Sequence, residues 1–403
     1  MCAVILDDFE RKPEKRVVSS VEVTSEGGEF QTGEMNRPIT MASDWDEVLR
    51  GFGLDPDVFY VVDDTVRMSK WQQSKRTESG DRDVVWLYSY KARFSRKASG
   101  PDRVDVEELC KLIEKRKPAK PAKDKPTTDA GFVVLLSDWQ LGKGEGGGTV
   151  ATYKRITTAL DKAVEQYQTL RKFGRVGESV YLIGLGDLVE GCSGWYPMQT
   201  FQADLSDREQ DRVARRLILM FIDAFVDLGC KVLVSGVPGN HGENRANGKA
   251  YTNFLDNRDY AAFETVEEIC GANYDRYNSV YFCLEDINND DLTLTLDIDG
   301  VITSFAHGHQ FRSGANSQAK MENWWKGQVM GKTGVAHSQL LFAGHLHHFV
   351  ASESTGRQVF QVPAMDGGSQ WYQATAGANA QAGLMTIVVG SNTPRGWDDL
   401  RIL

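Results

Sequence analysis

The chain has 403 residues, 41% hydrophobic and 25% charged, with a formal net charge of −10 and a pI near 5.3. That length and composition describe an ordered protein of more than one domain. The acidic balance excludes a broad basic surface, so any nucleic-acid contact has to be local or assisted by bound cations. Residues 1–12 are too short and too acidic for a signal peptide, and the best apolar run, 217–228, is interrupted by Asp223 and Asp227, which leaves nothing to span a bilayer. Six scattered cysteines without a Cys-x-x-Cys pair point to reduced thiols and a cytoplasmic setting.

In chain order, residues 1–40 lack periodicity and read as a mobile tail. Residues 41–114 read as a small α+β domain, opening with a helix that Ser43 or Asp44 caps and Gly51 and Gly53 halt. Over residues 86–94, Trp86, Tyr88, Tyr90, Ala92 and Phe94 alternate with Leu87, Ser89, Lys91 and Arg93. Such a strand could stack bases and hold phosphates, but aromatic stripes more often make core, and that reading is taken. Residues 104–113 form a short helix, and the alternation of lysine with proline and alanine makes 115–130 a semi-rigid linker.

Residues 131–403 form the main domain. Its first half alternates strands (132–136, 180–185, 232–234) with helices, the longest carrying Val213, Leu217, Met220, Phe221, Ala224, Phe225 and Leu228. Its second half turns to strands at 292–298, 301–305, 340–343, 359–362 and 384–389, with Asp299-Gly300 as a hairpin turn. The pattern predicts an α/β fold of two sheets packed face to face with helices outside.

All seven histidines lie between His241 and His348. His241 follows Pro238-Gly239-Asn240; His307 and His309 flank Gly308; His345, His347 and His348 follow Gly344. Upstream, Asp138 and Asp187 end apolar runs in the same way. Five strand-like segments thus end in metal-ligand residue types, the layout expected when strand ends converge on one metal centre. Carboxylate, amide oxygen and imidazole together suit a hard or borderline dication. Asp187, behind Gly184-Leu185-Gly186, suits a bridge between two ions, because glycine lets the backbone approach closely.

Asp138-Trp139-Gln140, Gly186-Asp187, Gly239-Asn240-His241, His307-Gly308-His309 and Gly344-His345-Leu346-His347 resemble, in order, the five blocks of the calcineurin-like metallophosphoesterases. The likeness covers residues 131–365, and Asp138-Trp139-Gln140-Leu141-Gly142 further resembles the opening of SbcD-type DNA repair nucleases. The resemblance implies a four-layer α-β-β-α sandwich, which the small strand-rich N-terminal domain read above would precede. It implies two divalent ions, Mn2+ or in its place Mg2+ or another dication. One would be held by Asp138, Asp187 and His347 with Gln140 beside it, the other by Asp187, Asn240, His307 and His345. His241 would be the catalytic histidine near the leaving group, with His309 beside the substrate phosphate.

Two departures stand out. Gln140 replaces the histidine of the usual Asp-x-His, which weakens the first site. Gly242 intervenes before Glu243, so the carboxylate that would orient His241 is expected to be displaced or absent. Trp195, Tyr196, Trp324 and Trp325 are candidates for substrate stacking or a lid, with packing as the alternative. His337 reads as a hydrogen-bonded core histidine and His348 as a flanking one. Gly142 to Gly148 reads as a flexible lip, and Met365-Asp366-Gly367-Gly368 as a turn after a strand.

The leading functional reading is metal-dependent phosphodiester hydrolysis of DNA, as a nuclease or exonuclease. The alternatives are a phosphodiesterase or phosphatase for small nucleotides, and a scaffold of the same fold with weakened catalysis. No coiled coil accompanies the blocks, so an ATPase partner would be a separate chain; no membrane partner is expected.

Overall fold

A computed structural model describes residues 17–24, 27–76, 82–97, 104–115, 128–196, 199–246, 249–250, 253–288, 292–311, 317–369, 373–374 and 381–403. The chain divides into two compact units, Met1–Ser99 and Gly100–Leu403.

The first unit comprises β1 (Ser20–Thr24), β2 (Gly27–Gln31), α1 (Ala42–Gly51), β3 (Phe59–Val61), β4 (Arg67–Arg76) and β5 (Arg82–Arg96). Its sheet runs β1-β2-β5-β3, with β4 also paired to β5. Strands β1 and β2 correct the expectation of a mobile tail for residues 20–31; residues 1–16 lie outside the described residues. Phe30, Leu49, Leu54, Val61, Ala92 and Phe94 form the core of this unit. Strand β5 outruns that core. Its residues 91–96 pair with β2 and β3, whereas residues 82–90 pair with β4 alone among the named strands. The aromatic stripe therefore divides: Tyr90 and Phe94 are buried, but Trp86 is 43% exposed.

The second unit comprises α2 (Val106–Glu114), β6 (Gly131–Leu136), α3 (Gly148–Lys172), β7 (Ser179–Gly184), α4 (Gln199–Gln202), α5 (Asp207–Val226), β8 (Lys231–Gly236), β9 (Arg245–Ala246), β10 (Lys249–Ala250), α6 (Arg258–Ala272), α7 (Tyr274–Tyr277), β11 (Val280–Phe282), β12 (Ile287–Asn288), β13 (Thr293–Ile298), β14 (Val301–Ala306), α8 (Ser317–Gly331), β15 (Leu340–Ala343), β16 (Val350–Ser354), β17 (Arg357–Gln361), β18 (Met385–Val389) and β19 (Trp397–Ile402). Helix α2 was expected in the N-terminal domain, with the boundary after residue 114. Instead Val106, Leu109, Cys110 and Ile113 join the core that α5 lines, and Glu107 and Glu114 pair with Arg212 and Arg216. Most of the lysine- and proline-rich linker, residues 116–127, lies outside the described residues.

Two six-stranded sheets order as β11-β8-β7-β6-β18-β19 and β12-β13-β14-β15-β17-β16. Strands β11, β8, β7 and β6 run parallel, as do β14, β15 and β17. Strand β6 is apolar throughout because both of its faces are buried. Phe132, Val134 and Leu136 meet α3 and α5, while Val133 and Leu135 face a second core shared with Leu294, Phe305, Phe342 and Phe360 of the other sheet. The far face of that second sheet is covered by α8 through Met321 and Trp325. Across β14, β15 and β17 the register aligns Phe305, Phe342 and Phe360 in a stacked row, with centroids 5.5 and 4.9 Å apart. Among the described residues no helix is long and apolar enough to cross a membrane, and Cys110, Cys192, Cys230, Cys270 and Cys283 are free thiols.

Phe342 is the middle ring of that row and fully buried. Phe342→Ala is expected to cost about 3–5 kcal/mol of unfolding free energy, read as a lower denaturation midpoint with an unchanged slope.

Candidate metal centre

The parallel strands of both sheets deliver their carboxyl ends to one place. Asp138 follows β6, Asp187 follows β7, Asn240 and His241 follow β8, His307 and His309 follow β14, and His345 and His347 follow β15. Fitting five loop ends into one volume strains the backbone. Asp138, Gln140, Asp187, His345 and His347 all have φ between 42° and 73°, a region that costs non-glycine residues on the order of 1–3 kcal/mol each. Glycines permit the closest approaches: a Cβ on Gly239 would lie 2.1 Å from the Asp187 nitrogen, and one on Gly344 2.7 Å from an Asp138 carboxylate oxygen.

Asp187, His307 and His345 bring ligand atoms within 4.8 Å of one another. His307 Nε2 lies 3.1 Å from Asp187 Oδ2 and 2.9 Å from Asn240 Oδ1, while its Nδ1–H donates to the Leu185 carbonyl at 2.6 Å. That carbonyl fixes the ring so that Nε2 faces the carboxylate and the amide. Both ring nitrogens thus face oxygen acceptors. Burial alone would lower the pKa of His307, but the charge of Asp187 and its hydrogen bond raise it to about 9. His345, buried beside that cation, is pushed down to about 4. Two imidazoles, one carboxylate and one amide oxygen around a common point fit a divalent cation, which would replace the proton on His307 Nε2.

Asp138 accepts the His345 N–H at 3.0 Å and the Ser137 hydroxyl, and its Oδ1 lies 3.2 Å from His347 Nε2. The other nitrogen of His347 lies 3.3 Å from Asp366 Oδ1. Burial opposes charge on His347, but Asp138 and Asp366 outweigh it and hold the imidazole at about 10. Asp366 also pairs with Lys143, whose ammonium donates to Gln140 Oε1 at 2.9 Å.

His241 is oriented after all. Its Nδ1–H donates to the Glu190 carbonyl at 2.9 Å and lies 3.3 Å from the Glu190 carboxylate. Glu243, the carboxylate that Gly242 displaces, does not serve this histidine; Glu190, three residues after Asp187, does so. Glu243 pairs with Arg245 at 2.5 Å instead. Burial raises the pKa of Glu190 against the opposing charge of His241, and its other oxygen accepts the Tyr196 hydroxyl at 2.8 Å. His309 sits beside His307 with ring centroids 5.3 Å apart, its Nδ1 buried without a hydrogen-bond partner among the described residues. Burial and the charge of His307 lower its pKa to about 3.

The aromatic candidates separate. Trp195 stacks on His241 at 5.3 Å and carries Arg245 over its ring at 3.5 Å, while its indole N–H donates to the Asn240 carbonyl. Trp195 and Tyr196 therefore form a wall of the centre. Trp325 does not reach it: 5% exposed, it bonds the Val335 carbonyl beneath α8, and Trp324 packs on Phe311 at 4.6 Å. Both corrections follow from the apolar face of the second sheet, which needs those rings as its cover. His337 is exposed rather than a core residue, and His348 only turns its Nδ1 to the Leu346 carbonyl. The glycine-rich lip is pinned, since Thr149 binds Asp204 and the Gly142 amide.

Four participants escaped the sequence reading: Lys143, Glu190, Asp259 and Asp366. Asp366 carried a usable signal, because it too follows a parallel strand, β17. Asp259 carried none. It is fully buried on α6 and accepts the amides of Asp187 at 2.8 Å, Leu188 at 3.0 Å and Gly239 at 3.1 Å.

No family model and no curated protein matches the chain. Among solved structures, it is similar to a predicted phosphoesterase from Streptococcus pneumoniae, with 12% identity, a TM-score of 0.27, and 64% of this chain and 83% of that one covered. It is also similar to Vacuolar Protein Sorting 29 from Cryptosporidium parvum (13%, 0.32, 68% and 98%) and to a novel archaeal phosphodiesterase (14%, 0.30, 68% and 99%). Similarity at this level carries no functional argument; the convergence of the strand ends does.

His307, held at about 9, keeps its Nε2 proton at pH 7, and the pairing with Asp187 is lost only as pH rises through that value. A bound dication must displace this proton. Manganese binding at pH 7 is therefore expected to release at least one proton per ion and to tighten from pH 6.5 to 8.5. Calorimetry in two buffers of different ionisation enthalpy reads the release; equal heats in both would exclude this ligand set.

Proposed function

We propose that the protein is a metal-dependent phosphodiesterase that cleaves nucleic acid, most specifically DNA, with a catalytic core of the four-layer metallophosphoesterase kind. The observation that carries the reading is the gathering of Asp187, Asn240, His307 and His345 from four strand ends, flanked by the ordered histidines His241 and His309. Asp187, Asn240, His307 and His345 would hold a divalent ion, Mn2+ or Mg2+, and when bound it supplies an activated water and stabilises charge on the phosphoryl oxygens. Glu190 turns Nδ1 of His241 away, which leaves Nε2 as the atom that can give a proton to the leaving oxygen. Trp195 stacked on the ring keeps that orientation. His309, neutral in its buried position, offers a hydrogen bond to a non-bridging phosphoryl oxygen.

The choice of DNA is supported by the first unit. Strands β4 and β5 carry eight arginines and lysines and a single aspartate, inside a chain whose net charge is −10. On that ribbon Lys70 lies 4.2 Å over the exposed Trp86 ring and 5.5 Å from that of Tyr88. Exposed rings beside cations fit bases and phosphates. The overall acidity favours the second reading, a small-nucleotide phosphodiesterase.

Asp187→Asn is expected to abolish manganese-dependent cleavage of labelled DNA, and His241→Ala to lower kcat by about 10²–10⁴-fold with KM little changed; unaltered turnover in both would leave only a scaffold. Trp86→Ala is expected to weaken single-stranded DNA binding by about 1–3 kcal/mol, while hydrolysis of a small phosphodiester is unaffected. Cleavage of nucleotide esters with DNA left intact, or rates indifferent to salt, would transfer the assignment to the second reading.

A further inference from the structure

The residues that the family resemblance assigns to a second ion do not fit one as they stand. The oxygen of Gln140, the only atom of its side chain that can ligate a cation, accepts a hydrogen bond from Lys143 Nζ at 2.9 Å. That ammonium must face an acceptor, so it fixes the amide with its NH2 group toward His347, 3.4 Å from Nε2. The same ammonium pairs with Asp366, and the Lys143 and Asp366 side chains are only 12% and 4% exposed. Asp366 in turn holds His347 at 3.3 Å, and His347 holds Asp138 at 3.2 Å. Asp138 and His347 thus satisfy one another, and the oxygen of Gln140 is taken by a protein cation. Among the described residues, ligand atoms of three histidine, cysteine or carboxylate side chains gather within 4.8 Å only at Asp187, His307 and His345.

We propose that the centre holds a single divalent ion, on Asp187, Asn240, His307 and His345, and that the Lys143 ammonium takes the place of the second. The replacement of the usual histidine by Gln140 belongs to the same device, because its amide oxygen accepts from Lys143. Lys143 then supplies fixed positive charge beside the substrate phosphate, within hydrogen-bond reach of the first strand end. This inference rests on the metal-dependent reading, and ion counting separates the two.

The test is manganese stoichiometry by calorimetry, with electron paramagnetic resonance of the loaded wild-type protein. One ion per chain with an uncoupled Mn2+ spectrum is expected. Two ions with an exchange-coupled spectrum would overturn the single-ion inference and leave the metal-dependent reading standing; no binding would overturn both. In the double variant Gln140→His with Lys143→Ala, the count is expected to rise to two and the spectrum to become coupled. If that variant retains the wild-type circular dichroism yet still binds one ion, Lys143 is not what closes the second site.

Discussion

The geometry of the centre hangs on one buried carboxylate. Asp259 gathers the backbone amides of Asp187, Leu188 and Gly239, and so ties the loop after β7 to the loop after β8. Neither loop has regular structure to satisfy those amides, and an unpaired buried N–H is costly. The carboxylate is itself unfavourable in this position: burial and the neighbouring charge of Asp187 raise its pKa to about 6. Several amide donors offset that penalty. Asn257, next but one in the chain, caps α6 on the Asp259 amide and donates to the Gly239 carbonyl, so the helix end and the loop are set together. Asp187 and Asn240 therefore meet without depending on a bound ion to draw them in, which is the preorganisation a catalytic centre needs.

The two halves of the centre differ in what neutralises their carboxylates. At Asp187 the balancing charge is a proton on His307, which a dication can displace. At Asp138 and Asp366 it is His347 together with an ammonium anchored on a lysine side chain that neither leaves nor exchanges. Low exposure makes this difference matter, because charges held away from water are screened little by salt. The strained φ values fall on both halves alike, so the asymmetry arises from side-chain chemistry and not from a collapse of one loop.

Much of this was legible in the sequence, and the reason is periodicity. Strands buried on both faces read as apolar runs, and residues at their ends share a common edge, so Asp138, Asp187, Asn240, His307 and His345 stood out. Helix α2 was assigned to the wrong unit because its amphipathic face says that it packs, not against what. The same ambiguity covered Trp325, whose ring serves the sheet beneath α8. Asp259 and Glu190 were illegible for another reason. Their roles are hydrogen bonds to backbone groups or to a ring across a loop, and no spacing rule encodes such a contact. Lys143, inside a glycine-rich run, looked like part of a loop; its partners Gln140 and Asp366 lie three and 223 residues away.

Under the proposed reading, an acidic protein would act on a polyanion, which is less paradoxical than its net charge implies. At physiological ionic strength the Debye length is about 8 Å, so an acidic surface farther than that from the phosphate backbone repels it little. What counts is the charge at the point of contact. On β4 and β5 the strand register places Lys70 opposite Tyr88, with its ammonium 4.2 Å over the Trp86 ring. Residues 82–90 extend past β2 and β3; Leu87, Ser89 and Tyr90 are still buried there, whereas Trp86 is 43% exposed. In the proposed reading, this exposed ring with a cation over it is the contact for a ligand that carries phosphates and flat bases.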